Sequence, residues 1–242
     1  MLKLHDISKT YNDSTEPVFA HITLNVALGE FVSIIGPSGC GKSTLLEICV
    51  GLQSFDNGRI TLNDQIIDHP GLCSFMPQGD SLLPWRKLNS NIALPIEAAG
   101  ASRRSAIKQA NHLLDQFDMG TLANRWPLQL SGGQKQRGAL LRSIAHDRDL
   151  LVLDEPLGAL DSLTRKNIQV WLKHLIQTSQ KSALMVTHDV DEAVFLSDRI
   201  YIMRPGKTLA EIVIDLDNRD RNSKEFRDIC IRIDEVLNDE NN

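Results

Sequence analysis

The chain has 242 residues, of which 42% are hydrophobic and 24% are charged, so it is long enough to form one domain with an ordinary buried core. Its formal net charge of −5 argues against a general nucleic-acid binder, because such proteins usually carry a basic excess. No stretch approaches the ~20 apolar residues of a transmembrane helix, residues 1–6 predict a strand rather than a secretory signal, and the four scattered cysteines indicate free thiols in a reducing compartment.

Short strands separated by polar turns are predicted over residues 1–35. Apolar side chains recur over residues 2–7 and again over residues 22–26, with a polar stretch at residues 12–17 between them. Tyr11 stands just before that stretch. An aromatic ring there either stacks on a flat base such as adenine or serves only for packing, and the pattern alone leaves both roles open.

A glycine-rich loop at residues 36–44 follows an apolar strand at residues 31–35 and precedes a predicted helix at residues 44–52. It fits G-x-x-x-x-G-K-[ST] in the strand–loop–helix context that this phosphate-binding motif requires. Successive backbone N–H groups that run into a helix N-terminus bind phosphate oxygens, Lys42 would reach the β- and γ-phosphates, and Ser43 would ligate Mg²⁺. The candidate nucleotide-binding residues are therefore Gly36, Pro37, Ser38, Gly39, Cys40, Gly41, Lys42, Ser43 and Thr44.

The segment after this loop predicts more β structure. Asn57 and Gly58 predict a tight turn between two strands, the second of which covers residues 59–62. Residues 73–76 predict another strand, which Pro77 breaks. Gln78 would then lie at a strand end, a common place for catalytic side chains in open α/β sheets.

The region from residue 81 to residue 146 changes character and predicts a helical subdomain inserted into an α/β core. Apolar residues recur at helical spacing between residues 106 and 117, and a second amphipathic helix follows residue 134. The basic residues on the first of these helices fit a solvated face.

The α/β core resumes with a strand at residues 150–155, whose consecutive apolar residues suit burial on both faces of a parallel sheet. The pattern then predicts a helix at residues 168–176, a strand at residues 183–187, and two edge strands at residues 199–203 and 210–214. A solvated linker at residues 217–221 and a C-terminal helix at residues 226–237 follow.

Three further polar side chains fall at predicted strand ends. Asp154 can bind Mg²⁺ directly or through water, and Glu155 is placed to polarise a water molecule for in-line attack on a terminal phosphate. His188 can hydrogen-bond the γ-phosphate, and Gln78 offers an amide oxygen to the metal and a donor to the attacking water. The alternatives are an acidic pair at a helix N-terminus and a structural histidine. We predict Glu155, His188 and Gln78 as catalytic residues and Ser43, Gln78 and Asp154 as metal ligands.

A family resemblance rests on the sequence Leu130, Ser131, Gly132, Gly133 and Gln134. It matches the signature of the ATP-binding cassette ATPases, and the chain resembles that family from end to end. The glycine-rich residues at a helix start expose backbone donors, which is a second anion site without a lysine. In the family this signature acts in trans, on the nucleotide bound by a partner cassette.

The resemblance assigns a family role to each of the other motifs. Tyr11 matches the adenine-stacking aromatic residue and residues 36–44 match the Walker A loop. Gln78 matches the Q-loop glutamine, and His188 matches the switch histidine. The remaining matches are the Walker B aspartate and catalytic glutamate, Asp154 and Glu155, and the D-loop residues, Ala159, Leu160 and Asp161.

The fold that the resemblance implies is a P-loop NTPase core of the α/β class with a parallel or mixed sheet, an N-terminal antiparallel β subdomain and an inserted helical subdomain. The whole chain, residues 1–242, would form one such domain. The nucleotide-binding core would cover about residues 1–80 and 147–215, the helical subdomain about residues 81–146, and the C-terminal helix about residues 216–242.

The resemblance also implies partners and a location. Two cassettes would sandwich two ATP molecules, with Mg²⁺, as a dimer that is most simply a homodimer. Two transmembrane permease subunits would bind the dimer at the cytoplasmic face of the cell membrane, and a solute-binding protein would act through the permease. No nucleic-acid partner is predicted.

Finer resemblance indicates an importer ATPase of the nitrate, sulfonate and taurine type, whose relatives also serve thiamine-pyrimidine precursors. It rests on residues 82–85, 155–165 and 204–207. In such a transporter the groove between the Gln78 segment and the helical subdomain, near Trp85, would transmit ATP closure to the permease, and the alternative role of Trp85 is ordinary core packing. The alternatives are a soluble cassette ATPase that acts on DNA or ribosomes, and an exporter subunit. The sequence lacks the long coiled-coil insertion, zinc module or second cassette that are usual in the soluble class.

Overall fold

The computed structural model of the protein describes residues 1–11, 15–79, 81–158, 160–204, 209–216 and 218–238. The strands in these ranges are β1 (Leu2–Lys9), β2 (Phe19–Val26), β3 (Phe31–Ile35), β4 (Asn57–Leu62), β5 (Gln65–Ile66), β6 (Ser74–Met76), β7 (Leu150–Asp154), β8 (Ser182–Thr187), β9 (Arg199–Ile202) and β10 (Ala210–Val213). The α-helices are α1 (Lys42–Cys49), α2 (Leu88–Ala98), α3 (Arg103–Gln116), α4 (Gly132–Ile144), α5 (Ser162–Ser179), α6 (Val190–Leu196) and α7 (Lys224–Asn238). Two 3-10 turns, Gly120–Leu122 and Pro127–Gln129, lie between α3 and α4.

The N-terminal strands form an antiparallel sheet in the order β2-β1-β4-β5. Side chains of β1 and β2 alternate between buried and exposed positions, because one face of the sheet packs on the core and the other meets solvent. This is the antiparallel β subdomain predicted from the sequence.

The main sheet has the order β10-β9-β3-β8-β7-β6. Its neighbouring strands run parallel from β9 to β6, and β10 pairs antiparallel with β9. All residues of β3, β7 and β8 are buried, as expected of central strands that are covered on both faces.

Parallel pairing brings the carboxyl ends of four strands to one edge of this sheet. Ile35 pairs with Thr187, Asp154 pairs with Val186, and Met76 pairs with Leu153. The segments that follow these strands therefore meet, although they are far apart in the sequence.

The inserted helical region consists of α2, α3 and α4. Its apolar side chains share one core with β6, β7 and α5, and the buried face of α3 carries Ala106, Ala110 and Leu114, as the helical spacing predicted. The predicted α/β class, mixed sheet, antiparallel β subdomain and inserted helices are thus confirmed.

The turn predicted at Asn57 and Gly58 is wrong, because both residues lie inside β4. The backbone of β1 bulges at Asp6, which has a φ of 58°, and passes so close to Gly58 that a Cβ atom there would lie 2.5 Å from the Asp6 carbonyl oxygen. The glycine is required by this close approach and not by a reversal of the chain.

Three other features differ from the predictions. The helix α1 begins two residues before the predicted start and ends at Cys49. The strand β9 is not at an edge, since it lies between β3 and β10. Residues 218–221 of the predicted solvated linker are fixed to the core, because Arg219 pairs with Asp198 at 3.1 Å and Arg221 with Asp191 at 2.9 Å, whereas residue 217 lies outside the described residues.

The amphipathic helix α7 was predicted correctly in its pattern. Phe226 and Ile233 are buried against the apolar cluster that includes Ile35 and Ile202. None of the helices in the ranges that the structure describes is both long and apolar enough to cross a bilayer.

Candidate functional site

The phosphate loop joins the end of β3 to the start of α1. Gly41 caps the helix with a φ of 97°, and a Cβ atom there would lie 2.6 Å from Val18. At Gly36 a Cβ atom would lie 2.2 Å from the Met203 carbonyl oxygen. Both positions therefore exclude a side chain, and the loop leads directly into a helix N-terminus, whose backbone amide groups favour anions.

Lys42 curls back over this loop. Its buried ammonium group donates hydrogen bonds to the carbonyl oxygens of Gly36 and Pro37, both at 2.8 Å. Burial raises the pKa of the Cys40 thiol, although Lys42 opposes the shift. The thiol is therefore protonated at neutral pH, and the positive charge beside the loop is that of Lys42.

Tyr11 lies beside the C-terminal end of the loop. Its hydroxyl group is 3.0 Å from the Thr44 hydroxyl, and its ring is 43% exposed. The Lys9 ammonium group lies 5.6 Å from the ring centroid. The ring is thus held near the loop with much of its surface open to a planar ligand.

Ser43 and Asp154 meet at the carboxyl edge of the main sheet. The Ser43 hydroxyl donates to Asp154 Oδ1 at 3.2 Å. Burial raises the pKa of the Asp154 carboxyl group, while the Ser43 hydrogen bond opposes the shift. A hydroxyl oxygen and a carboxylate oxygen are hard ligands of the kind that Mg²⁺ prefers, so the donor set fits this ion.

The carboxylate of Glu155 is held between two of the predicted catalytic residues. Gln78 Nε2 donates to Glu155 Oε2 at 3.3 Å, and His188 Nδ1 lies 3.3 Å from Glu155 Oε1. The Glu155 backbone is in the left-handed region, with a φ of 42°, and its amide donates to the Val186 carbonyl group at 3.0 Å. A strained backbone of this kind re-aims a side chain at a strand end.

A cavity of about 470 Å³ opens at this cluster. Its lining residues are Gln78, Gly79, Gln136, Glu155, Pro156, Gly158 and His188. Gln136 was missed by the sequence analysis. Its buried amide donates to the Pro156 carbonyl group and so ties α4 to the turn after Glu155. Nothing in the helical spacing of α4 distinguished this glutamine from its polar neighbours.

The signature residues lie at the start of α4. Ser131 accepts a hydrogen bond from the Gln134 amide at 3.3 Å, and the Gln134 side chain accepts one from the Ser131 amide at 3.0 Å, which is a complete capping box. Leu130 is buried in the core, whereas Gly132 and Gly133 form the first turn of the helix. Both hydrogen bonds of this capping box join Ser131 and Gln134 to each other.

Asp161 caps the next helix of the core. Its carboxylate accepts the Thr164 amide hydrogen at 3.0 Å, which lowers the pKa of the carboxyl group. The neighbouring Ala159 and the predicted subgroup residues 205–207 lie outside the described residues. The structure thus brings the loop, Asp154, Glu155, Gln78 and His188 to one edge, and the signature lies at the start of α4.

Comparison with known proteins adds an independent line of evidence. The profile of the family described as "ABC transporter" matches residues 19–158. The chain is 41% identical over 218 residues to the aliphatic sulfonates import ATP-binding protein SsuB of Albidiferax ferrireducens, which covers 89% of this chain and 75% of that relative. It is 37% identical over 222 residues to the taurine import ATP-binding protein TauB of Pseudomonas entomophila, which covers 90% of this chain and 86% of that relative.

A solved structure of similar shape is a dimeric post-hydrolysis state of the ATP-binding cassette MJ0796, bound to ADP and Pi. The TM-score is 0.77 at 31% sequence identity, and the match covers 89% of this chain and all of that chain.

Proposed function

This chain belongs to the ABC transporter family, as its signature indicated, and from that premise we propose that it binds and hydrolyses ATP to power a membrane importer. The observation that carries the proposal is the Glu155 carboxylate, which lies between Gln78 and His188 and directly follows the Asp154 that meets Ser43. A hydrolytic site needs a base within reach of the attacking water next to the phosphate cradle, and this geometry supplies one.

ATP would be bound by the phosphate loop and by Tyr11. The amide groups at the start of α1 and the Lys42 ammonium would bind the phosphate oxygens, because the positive end of a helix and a buried cation both favour anions. The exposed Tyr11 ring would stack on the adenine base.

Mg²⁺ would be held by the Ser43 hydroxyl and the Asp154 carboxylate, with Gln78 as a further oxygen donor. When bound, the ion neutralises charge on the phosphates during transfer. The raised pKa of Asp154 reflects burial of the carboxyl group, a cost that a cation beside it would offset.

Hydrolysis follows from the Glu155 cluster. The Glu155 carboxylate accepts a proton from the water that attacks the γ-phosphate in line, and the bond from the γ-phosphorus to the β–γ bridging oxygen breaks with ADP as the leaving group. His188 donates a hydrogen bond to a γ-phosphate oxygen. Gln78 orients the carboxylate through its 3.3 Å hydrogen bond.

The test of the chemistry is Glu155→Gln. The amide cannot accept the proton, so turnover falls about 10²–10⁴-fold while ATP binding persists. Steady-state phosphate release and equilibrium binding of ATP measure the two effects. Glu225→Gln, at an exposed position of α7, is the matched control and keeps wild-type turnover. Near-wild-type hydrolysis by Glu155→Gln would contradict the assignment.

We divide the domain as the resemblance implies, with the nucleotide-binding core at about residues 1–80 and 147–215, the helical subdomain at about residues 81–146 and the C-terminal helix after them. The support for this division is that α2, α3 and α4 lie together between β6 and β7, and that α7 packs on α6.

The partners would be a second copy of the chain, two permease subunits and, through them, a solute-binding protein at the membrane. The Trp85 side chain is 69% exposed, which supports a contact with the permease over core packing. Trp85→Ala should abolish stimulation of the ATPase by the permease and leave the basal rate unchanged. Trp126→Ala, which removes another exposed ring of the helical region, is the control. Full stimulation of the Trp85 variant would remove this role.

The solute would be a small organic sulfonate, because similar relatives are named for aliphatic sulfonates and for taurine. Uptake through the cognate permease, with labelled taurine and unlabelled competitors, tests this proposal. Competition by alkanesulfonates supports the proposal. Competition only by nitrate or by a thiamine-pyrimidine precursor would mean that the solute is not a sulfonate.

A further inference from the structure

Arg165, in the first turn of α5, bridges two segments at the edge of the candidate site. Its Nη2 donates to the Leu160 carbonyl oxygen at 2.9 Å, and its Nη1 lies 3.3 Å from Asp189 Oδ2. The planar guanidinium group can hold both partners at once in a fixed geometry. Neither partner is a residue predicted to touch the nucleotide in this chain.

The first segment runs from Glu155 to Leu160. The Gly158 amide donates to the Glu155 carbonyl group at 3.3 Å, and the Leu160 amide donates to the Leu157 carbonyl group at 3.3 Å. These two hydrogen bonds connect the Glu155 backbone to Leu160, whose carbonyl group Arg165 holds.

The second segment surrounds His188. The Asp189 amide donates to the Thr187 hydroxyl at 3.1 Å, and that hydroxyl donates to the Glu192 carboxylate at 2.6 Å. Asp189 Oδ1 accepts the Glu192 amide hydrogen at 3.0 Å, which caps α6. The residues on both sides of His188 are thereby fixed to α6, and Arg165 fixes Asp189 to α5.

The 3.3 Å contact between His188 and Glu155 closes a ring of contacts through these two segments. We infer that Arg165 is a positioning residue, which sets the distance between His188 and Glu155 by holding both segments. The inference rests on the hydrolytic roles proposed for that pair.

The contacts of Arg165 add little to the stability of the fold, which favours a positioning role. Its ion pair with Asp189 is partly exposed, with side-chain exposures of 28% and 26%, and such pairs add little to stability. Its buried Nε has no hydrogen-bond partner among the described residues, which is a cost to the fold. The bridge is thus poorly suited to stability alone.

Arg165→Ala is the direct test, with Lys166→Ala, at the exposed neighbouring cation on α5, as the matched control. We expect kcat for ATP hydrolysis to fall roughly 10- to 100-fold, because small displacements of reacting groups have effects of this size. The affinity for ATP and the melting temperature should stay close to wild type. Arg165→Lys, which can hold only one partner, should recover part of kcat. Lys166→Ala should match wild type.

A double-variant cycle with Asp189→Asn separates positioning from damage to the fold. If Asp189 acts only through Arg165, Arg165→Ala combined with Asp189→Asn loses no more kcat than Arg165→Ala alone. Additive losses of kcat in the double variant would overturn the inference. A lower melting temperature would also overturn it if the molecules that still bind nucleotide have a normal kcat. If Arg165→Ala does not fold, the Arg165→Lys and Asp189→Asn pair supplies the same cycle. Wild-type protein without ATPase activity would instead refute the proposed function itself.

Discussion

At the scale of single residues, Glu192 shows how the site combines polar groups with burial. Its side chain is almost fully buried, one carboxylate oxygen accepts the Thr187 hydroxyl, and the other has no hydrogen-bond partner among the described residues. The pKa of this carboxyl group is raised to about 7, chiefly by burial and also by the nearby Asp189, while the Thr187 hydrogen bond, Arg165 and His188 oppose the rise. The group is therefore half-ionised near neutral pH.

This pKa predicts a pH-dependent free energy of unfolding. The folded pKa lies above the ordinary value of 4.5, so ionisation penalises the folded state. The stabilising effect of the proton is complete below pH 4.5 and is lost as pH rises to about 7. Relative to Glu192→Gln, which cannot ionise, the wild type should lose about 2–3 kcal/mol between pH 5 and pH 8.

Chemical denaturation of both proteins at several pH values measures the difference. Glu225→Gln, which removes a carboxylate at an exposed position, is the control. Parallel curves for Glu192→Gln and the wild type would mean that Glu192 ionises normally in the fold.

At the scale of secondary-structure elements, the sequence predicted best those that depend on local patterns. Continuous apolar runs identified β3 and β7, and helical spacing identified α3 and α7. The prediction failed at Gly58, where the reason for the glycine is the neighbouring strand β1. It failed also at the linker, whose arginines find partners on α5 and α6 that no local pattern reveals.

The candidate site follows the same division. Glu155 and His188 could be predicted because a polar residue at the end of an apolar strand is a local signal. Gln136 and Arg165 could not, because each lies on a helix among similar polar residues and acquires its partner only when distant segments meet. Long-range contacts, rather than residue type, select these two side chains.

The cap of α4 allows a prediction about an element. Ser131 and Ser102 cap α4 and α3 with the same 3.3 Å hydrogen bond to a backbone amide. Ser131→Ala and Ser102→Ala should each lower the free energy of unfolding by about 1 kcal/mol. Only Ser131→Ala should also reduce ATP turnover, because Ser131 belongs to the signature.

Denaturation and phosphate release distinguish the two variants. Equal ATP turnover in both variants would mean that Ser131 acts only as a helix cap, because both variants are expected to lose the same free energy of unfolding. A loss of turnover in Ser102→Ala of the same size would mean that the helical region transmits any cap defect to the site.

At the scale of the whole molecule, one chain carries two different elements for which we propose anion binding. The phosphate loop lies at the carboxyl edge of the main sheet, and the capping box of the signature lies at the start of α4. If the signature acts on a partner's nucleotide, the phosphate loop and the signature of one chain belong to two different sites of a two-fold dimer. Each site is then built from two chains, and neither chain alone completes one.

Mixing two inactive variants tests this arrangement. Lys42→Ala removes the cation of the phosphate loop, and Ser131→Arg blocks the signature, so each homodimer should be inactive. A mixed dimer places the intact loop of the Ser131→Arg chain against the intact signature of the Lys42→Ala chain. In an equal mixture, half of the randomly formed dimers are mixed dimers, and each of these has one working site of two. ATPase activity should therefore return to at most about a quarter of wild type.

The control replaces the Ser131→Arg chain by one that carries both changes. That mixture contains no intact phosphate loop, so recovery there would point to contamination or to residual activity. Failure of the first mixture to recover, although the two chains co-purify as a heterodimer, would mean that each chain completes its own site. The recovery therefore depends on the shared site alone, because both mixtures contain the same folded partners and differ only at Lys42 of one chain.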